Sequence, residues 1–159
     1  MLRAMNEGPV LLAYDGSANA KAAIERAGAV LPHGAAVVAT AWTSFEDAAP
    51  AALLALPKDI VRDSAQALDE AARETAEETA AEGAELARAA GFDAEPLAVR
   101  SSGPFFAALI RTAEELDARA IVAGSRGRST LRAAVMGSVS TGLLHHTSRP
   151  VLIVRGEEE

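Results

Sequence analysis

Short runs of almost unbroken apolar residues recur along the chain, each ended by turn residues and followed by an amphipathic stretch. The first lies in "PVLLAYDGS", residues 9–17. A run without a polar face has no side to turn to water, which predicts a strand buried between two layers. "SANAKAAIERAGAVL" then repeats at the helical period, with Ala20, Ala23, Ile24, Ala27 and Leu31 on one face and Ser17 as N-cap. Pro32 and Gly34 stop that helix, and "AAVVATAW" predicts a second buried strand. From Thr43 to Asp63 the pattern breaks down, and the apolar "AALLAL" within it reads as a short helix or a flap. A long helix is predicted from Ser64 to Ala90, with Gly91 as its stop.

"AEPLAVR" is the third predicted strand. Gly103-Pro104 opens a further helix, Pro104 sitting in the first turn where its missing N–H matters little, with Leu109, Ile110, Ala113 and Leu116 facing inward. "ARAIVAG" is the fourth strand, a glycine-containing segment follows, and a helix is predicted from Ser138 to His145. Pro150 then starts the fifth, "PVLIVR". This βαβαβαβαβ order, with strands too apolar to face water, implies a doubly wound α/β domain: a parallel sheet, helices on both faces and right-handed crossovers. No linker and no internal repeat interrupts the 159 residues, so one domain is expected.

Composition narrows the partners. The net charge of −7 argues against a nucleic-acid surface, and an anionic ligand has to be held by local dipoles and a few cations. No apolar run is long enough to span a bilayer, and "MLRAMNEGP" lacks the apolar core of a secretory signal. The absence of cysteine excludes disulfides, zinc–thiolate sites and thiol nucleophiles. A cytoplasmic protein is the simplest expectation. His145 and His146 are adjacent on a helix and diverge, which disfavours a shared metal.

The candidate chemistry sits in "GSRGRSTLRAAVMGSVS", residues 124–140. In doubly wound sheets ligands bind outside the carboxyl ends of the strands, where neighbouring connections leave in opposite directions. Glycines let backbone N–H groups approach an anion, and a helix start at Gly137-Ser138 adds unpaired donors and a positive dipole end. The segment therefore reads as a phosphate cradle, with hydroxyl donors from Ser138 and Ser140. Arg126 and Arg128 are either phosphate contacts or solvated loop charges. The Walker pattern and the dinucleotide glycine pattern after the first strand are both absent. Asp15, at the end of the first strand, is either a helix cap or a ligand contact, and its place at the expected crevice favours the ligand.

Gly124-x2-Gly127-x9-Gly137-Ser138 resembles the ATP-binding signature of universal stress proteins. "DGS" after the first strand, "GP" after the third and the closing "RPVLIVR" extend the resemblance over nearly the whole chain. It implies a five-stranded sheet of order 3-2-1-4-5, with Asp15 on the nucleoside and the backbone near Ala41 on adenine. Ribose and phosphates would then be held by Gly124, Gly127, Gly137, Ser138, Val139 and Ser140, with a phosphate contact at Arg126. The ligand implied is ATP, or else ADP or AMP, with Mg²⁺ or Mn²⁺ bridging the phosphates. Tyr14 would narrow the pocket. The resemblance also implies a homodimer through Val151–Val154, since a bare apolar edge invites pairing. The function expected is a dimeric nucleotide-dependent switch. The alternatives are a phosphoryl- or adenylyl-transferring enzyme on the same fold, or a scaffold without nucleotide.

Overall fold

The computed structural model describes residues 7–49, 55–128 and 136–156. Ten elements follow one another: β1 (Val10–Ala13), α1 (Ala18–Val30), β2 (Ala35–Thr43), α2 (Phe45–Ala48), α3 (Lys58–Ala89), β3 (Asp93–Ser101), α4 (Phe105–Glu115), β4 (Ala120–Gly124), α5 (Ser138–His146) and β5 (Val151–Val154). The five strands form one parallel sheet in the order β3-β2-β1-β4-β5.

Alternate residues of each strand feed two cores. Leu12, Val38 and Val122 pack under α1 and α3 with Ile24, Ala27, Ala84 and Ala87. Leu11, Ala39 and Ile121 pack on the other side, under α4 and α5, with Leu109, Ala113 and Leu143. Two-sided burial is the reason the strands read as unbroken apolar runs.

Local signals explain most boundaries. The Ser17 hydroxyl accepts the Ala20 N–H at 3.2 Å and starts α1. Leu31, expected inside that helix, is its C-cap and is half-buried. At the end of α3 the N–H groups of Gly91 and Phe92 return to the carbonyls of Arg88 and Ala87, the closing pattern that a glycine permits. α5 runs one residue beyond the expected end, to His146, whose ring stacks on Phe106 at 5.1 Å.

Two expectations need correction. α3 begins at Lys58, not Ser64, because Pro57 closes the preceding turn and Asp59 complements the positive end of the helix. The short helix of the irregular stretch is α2, ahead of "AALLAL", most of which lies outside the described residues. Ser44 caps α2 through the Asp47 N–H at 3.3 Å, and Arg100 donates to the Ser44 hydroxyl at 3.1 Å. Asp69 accepts the Phe45 N–H at 2.5 Å, tying α2 to α3.

Candidate functional site

β1 and β4 are neighbours, yet the helices that follow them, α1 and α5, cover opposite faces of the sheet. Their carboxyl ends therefore flank the crevice in which doubly wound sheets take ligands. At the β1 end the chain turns at Gly16, whose φ of +79° suits a residue without a side chain. The turn is pinned by Asp15, whose Oδ1 accepts the Ser17 N–H at 2.9 Å. Its Oδ2 accepts the Arg128 N–H at 3.1 Å, bridging to the far side of the crevice.

At the β4 end, Ser125 N–H donates to the Val154 carbonyl at 2.8 Å, extending the ladder by one bond. The Ser125 carbonyl accepts the Gly137 N–H at 2.8 Å and the Ser140 hydroxyl at 3.0 Å. The start of α5 is thereby fastened to the end of β4. Ser138, Val139 and Ser140 form the first turn of α5, where backbone N–H groups lack an intrahelical acceptor and the dipole is positive. The Ser140 hydroxyl, expected to be a ligand donor, is buried and bonded to the loop backbone; Ser138 is exposed.

Two of the three glycines of the signature are crowded, each by a different neighbour. A side chain on Gly124 would meet the Asn19 backbone at 2.8 Å, and one on Gly127 would meet Asp15 Oδ2 at 2.7 Å. At Gly137 the nearest atom is 3.5 Å away, ordinary contact distance.

Between these loops lies a cleft of about 720 Å³, within the range of small-molecule sites. Asp15, Ala41, Gly124, Arg126, Gly127, Gly137, Ser138, Val139 and Ser140 all line it. Among the described lining residues Asp15 is the sole carboxylate, set against Arg126 and Arg128, so the cleft opposes the charge of the chain as a whole. The Arg128 guanidinium lies across the β1–α1 turn, 2.9 Å from where a Gly16 side chain would begin.

Tyr14 lines the cleft as expected and is anchored away from it. Its hydroxyl donates to Glu82 Oε1 at 2.6 Å, and Lys21 pairs with the same oxygen at 3.0 Å. Burial first, then the Glu82 carboxylate, pushes the phenol above its ordinary value. The Tyr14 hydroxyl, then the Lys21 ammonium, holds Glu82 below the ordinary carboxylate value.

Sequence reasoning missed a wall. Leu68, Ala72, Thr75, Ala76 and Thr79 of α3 line one side of the cleft, and Phe105 of α4 lines the other. The helical spacing of the α3 residues is legible in the sequence, but nothing local tells a cleft wall from a core stripe. Trp42 belongs to the same apolar part of the lining. Among the described residues no group of three or more His, Cys, Asp or Glu is gathered for a metal ion. No described helix is long and apolar enough to cross a membrane.

A model of the universal stress protein family matches residues 8–155. A universal stress protein of Mycolicibacterium smegmatis is 42% identical over 43 residues, covering 27% of this chain and 15% of that protein. The chain thus matches a small part of that curated relative's length. Among solved structures, a universal stress protein in complex with cAMP is 27% identical, with a TM-score of 0.60 over 94% of this chain and 98% of that one. The hypothetical protein MJ0577 reaches a TM-score of 0.76 at 19% identity, covering 97% of this chain and 99% of its own. A universal stress protein from Archaeoglobus fulgidus in complex with dAMP has a TM-score of 0.55 at 19% identity, covering 94% of this chain and 98% of its own. At 19% identity the last two speak for the fold alone.

Proposed function

The chain belongs to the universal stress protein family, and from that membership and its cleft we propose that it is a cytosolic ATP-binding protein, one nucleotide-binding domain, working as a dimeric switch or regulator. One observation carries the reading: the Asp15 turn and the glycine segment meet at the switch point, beside the first turn of α5, in a single cleft. The universal stress protein that is 27% identical holds cAMP, which supports an adenine nucleotide as the ligand class.

The chemistry of the lining fits such a ligand. The first N–H groups of α5 suit phosphate oxygens, and Arg126 supplies charge at the same end. The apolar part, with Ala41 and Trp42, suits a purine ring. Asp15 accepts from the nucleoside through lone pairs that its two backbone bonds leave over. Mg²⁺ keeps much of its water and binds through one or two carboxylates plus phosphate oxygens. Among the described lining residues a single carboxylate fits that habit, so Mg²⁺ or Mn²⁺ would be held chiefly by the phosphates.

The test is to identify by mass spectrometry the nucleotide released on denaturing the purified protein, followed by calorimetric titration with ATP, ADP, AMP and cAMP. Saturable binding of ATP, displaced by the other adenine nucleotides and absent for an apolar anion of similar size, is the expected result. No heat and no displacement with any adenine nucleotide at millimolar concentration would falsify the proposal.

A further inference from the structure

The resemblance gives Asp15 to the nucleoside and Gly127 to the phosphates, as separate contacts. We propose that the two act on each other: Asp15 is a positioning residue whose carboxylate latches the glycine segment to the β1–α1 turn, and Gly127 is a glycine because Asp15 occupies the space beside it. The inference rests on the nucleotide reading for what the latch achieves, and on geometry for its existence.

Both carboxylate oxygens are engaged by backbone donors, Oδ1 by Ser17 at 2.9 Å and Oδ2 by Arg128 at 3.1 Å, the latter 113 positions along the chain. A carboxylate accepting backbone N–H groups makes strong, charge-assisted bonds. The latch draws the segment so close that a Cβ on Gly127 would sit 2.7 Å from Oδ2, nearer than real Cβ atoms come to anything. Gly137, also on the cleft wall, has no contact under 3.5 Å and so lacks that constraint. Arg128 is turned the same way, its guanidinium lying against Gly16. A methyl at Gly127 has to displace Oδ2, the oxygen that holds the Arg128 N–H, which undoes the latch. The cradle is held in place before a ligand arrives, and binding does not bear the cost of ordering it.

The experiment measures ATP affinity for the native protein, Gly127→Ala, Asp15→Ala and the double variant, with circular dichroism on each. On the native background Gly127→Ala should weaken binding about tenfold, the scale of losing a hydrogen bond to a charged group. On the Asp15→Ala background the same change should cost nothing further, since no carboxylate remains to displace. An equal loss on both backgrounds, or none on either, overturns the latch; the first would mean that the methyl strikes the nucleotide itself. Amide hydrogen exchange on the nucleotide-free native protein decides the matter without a variant. The Arg128 amide should be protected, and exchange at the unprotected rate overturns the proposal. If ATP fails to bind the native protein while that amide is protected, the nucleotide reading falls and the latch stands.

Discussion

Tyr14 joins the cleft to the core: its ring is buried, it lines the pocket, and its hydroxyl donates to Glu82. A raised native value means that the folded protein keeps the phenol proton while the unfolded chain gives it up. Tyr14 therefore contributes stability that is full below the ordinary phenol value of about 10 and is lost as pH rises above it. Glu82 works in the opposite sense: its lowered value contributes above the ordinary carboxylate range and is lost as pH falls through the native value. The chain holds one tyrosine, so phenolate absorbance reports on this group alone. On alkaline titration that absorbance should stay low past the ordinary range and rise together with the loss of helical dichroism. Tyr14→Phe should flatten the alkaline fall in stability, measured by urea unfolding at several pH values. A normal phenol titration in the folded protein would contradict the anchored hydroxyl.

At the scale of elements, α3 carries two roles on one helix. Its 32 residues span about 48 Å at 1.5 Å per residue, while its buried positions, Ala76, Ala80, Gly83, Ala84 and Ala87, fall in the C-terminal half. That half is pressed against the sheet through small side chains, while Leu68 and Ala72 before it and Thr75, Ala76 and Thr79 at its start line the cleft. Gly83 is the tightest point, where a Cβ would lie 2.6 Å from the Tyr14 ring and 2.7 Å from Val38. Gly83→Ala gains about 1 kcal/mol of helix propensity, whereas overpacking a core costs about 1–3 kcal/mol. Both neighbours are buried and cannot swing away, so the clash prevails. The variant should unfold at lower denaturant concentration than the native protein; a higher midpoint would show that α3 shifts outward freely.

For the whole molecule, the two sheet edges differ. β3 carries Asp93, Glu95, Pro96 and Arg100, which blunt an edge, whereas β5 is Val-Leu-Ile-Val. This contrast supports β5 as the dimer strand of the proposed function. The carbonyls of Pro150 and Val154 accept from β4, so the main-chain groups of Val151 and Ile153 face outward. Ile153→Pro removes an outward donor and spares the β4 ladder, and should convert a dimer into a folded monomer by light scattering. A native protein that is monomeric at micromolar concentration would dismiss the dimer. Turnover is the other whole-molecule property. Efficient hydrolysis needs a residue that orients the attacking water. Among the described lining residues there is no glutamine or glutamate, and Asp15 is bonded to two backbone donors. Phosphate release with Mg²⁺ and saturating ATP should therefore fall well below about 1 per second, the lower end of ordinary enzyme turnover. A rate in the ordinary range, abolished in Gly127→Val, would make the protein a catalyst.

The alternation of the five strands with the helices that cross between them, the Ser17 cap and the Gly91 stop were legible in the sequence, because each depends on neighbours a few positions away. Of the nine expected residues that line the cleft, Asp15 and the glycines and serines of residues 124–140 stood out by position and spacing, whereas Ala41 and Val139 came only with the resemblance. Burial on both faces was legible for the same reason, since a strand without a polar side has nowhere else to go. The start of α3 at Lys58 was not, because Ser64 is as good a local cap as the turn at Pro57, and local preference does not choose between them. Nor was α2, which Asp69 and Arg100 help to hold from α3 and β3. The partners of Tyr14 and Asp15 lie 68 and 113 positions away. Which carboxylate meets which N–H at such separations is decided by how the helices and loops pack over the sheet, and no pattern along the chain encodes that distance.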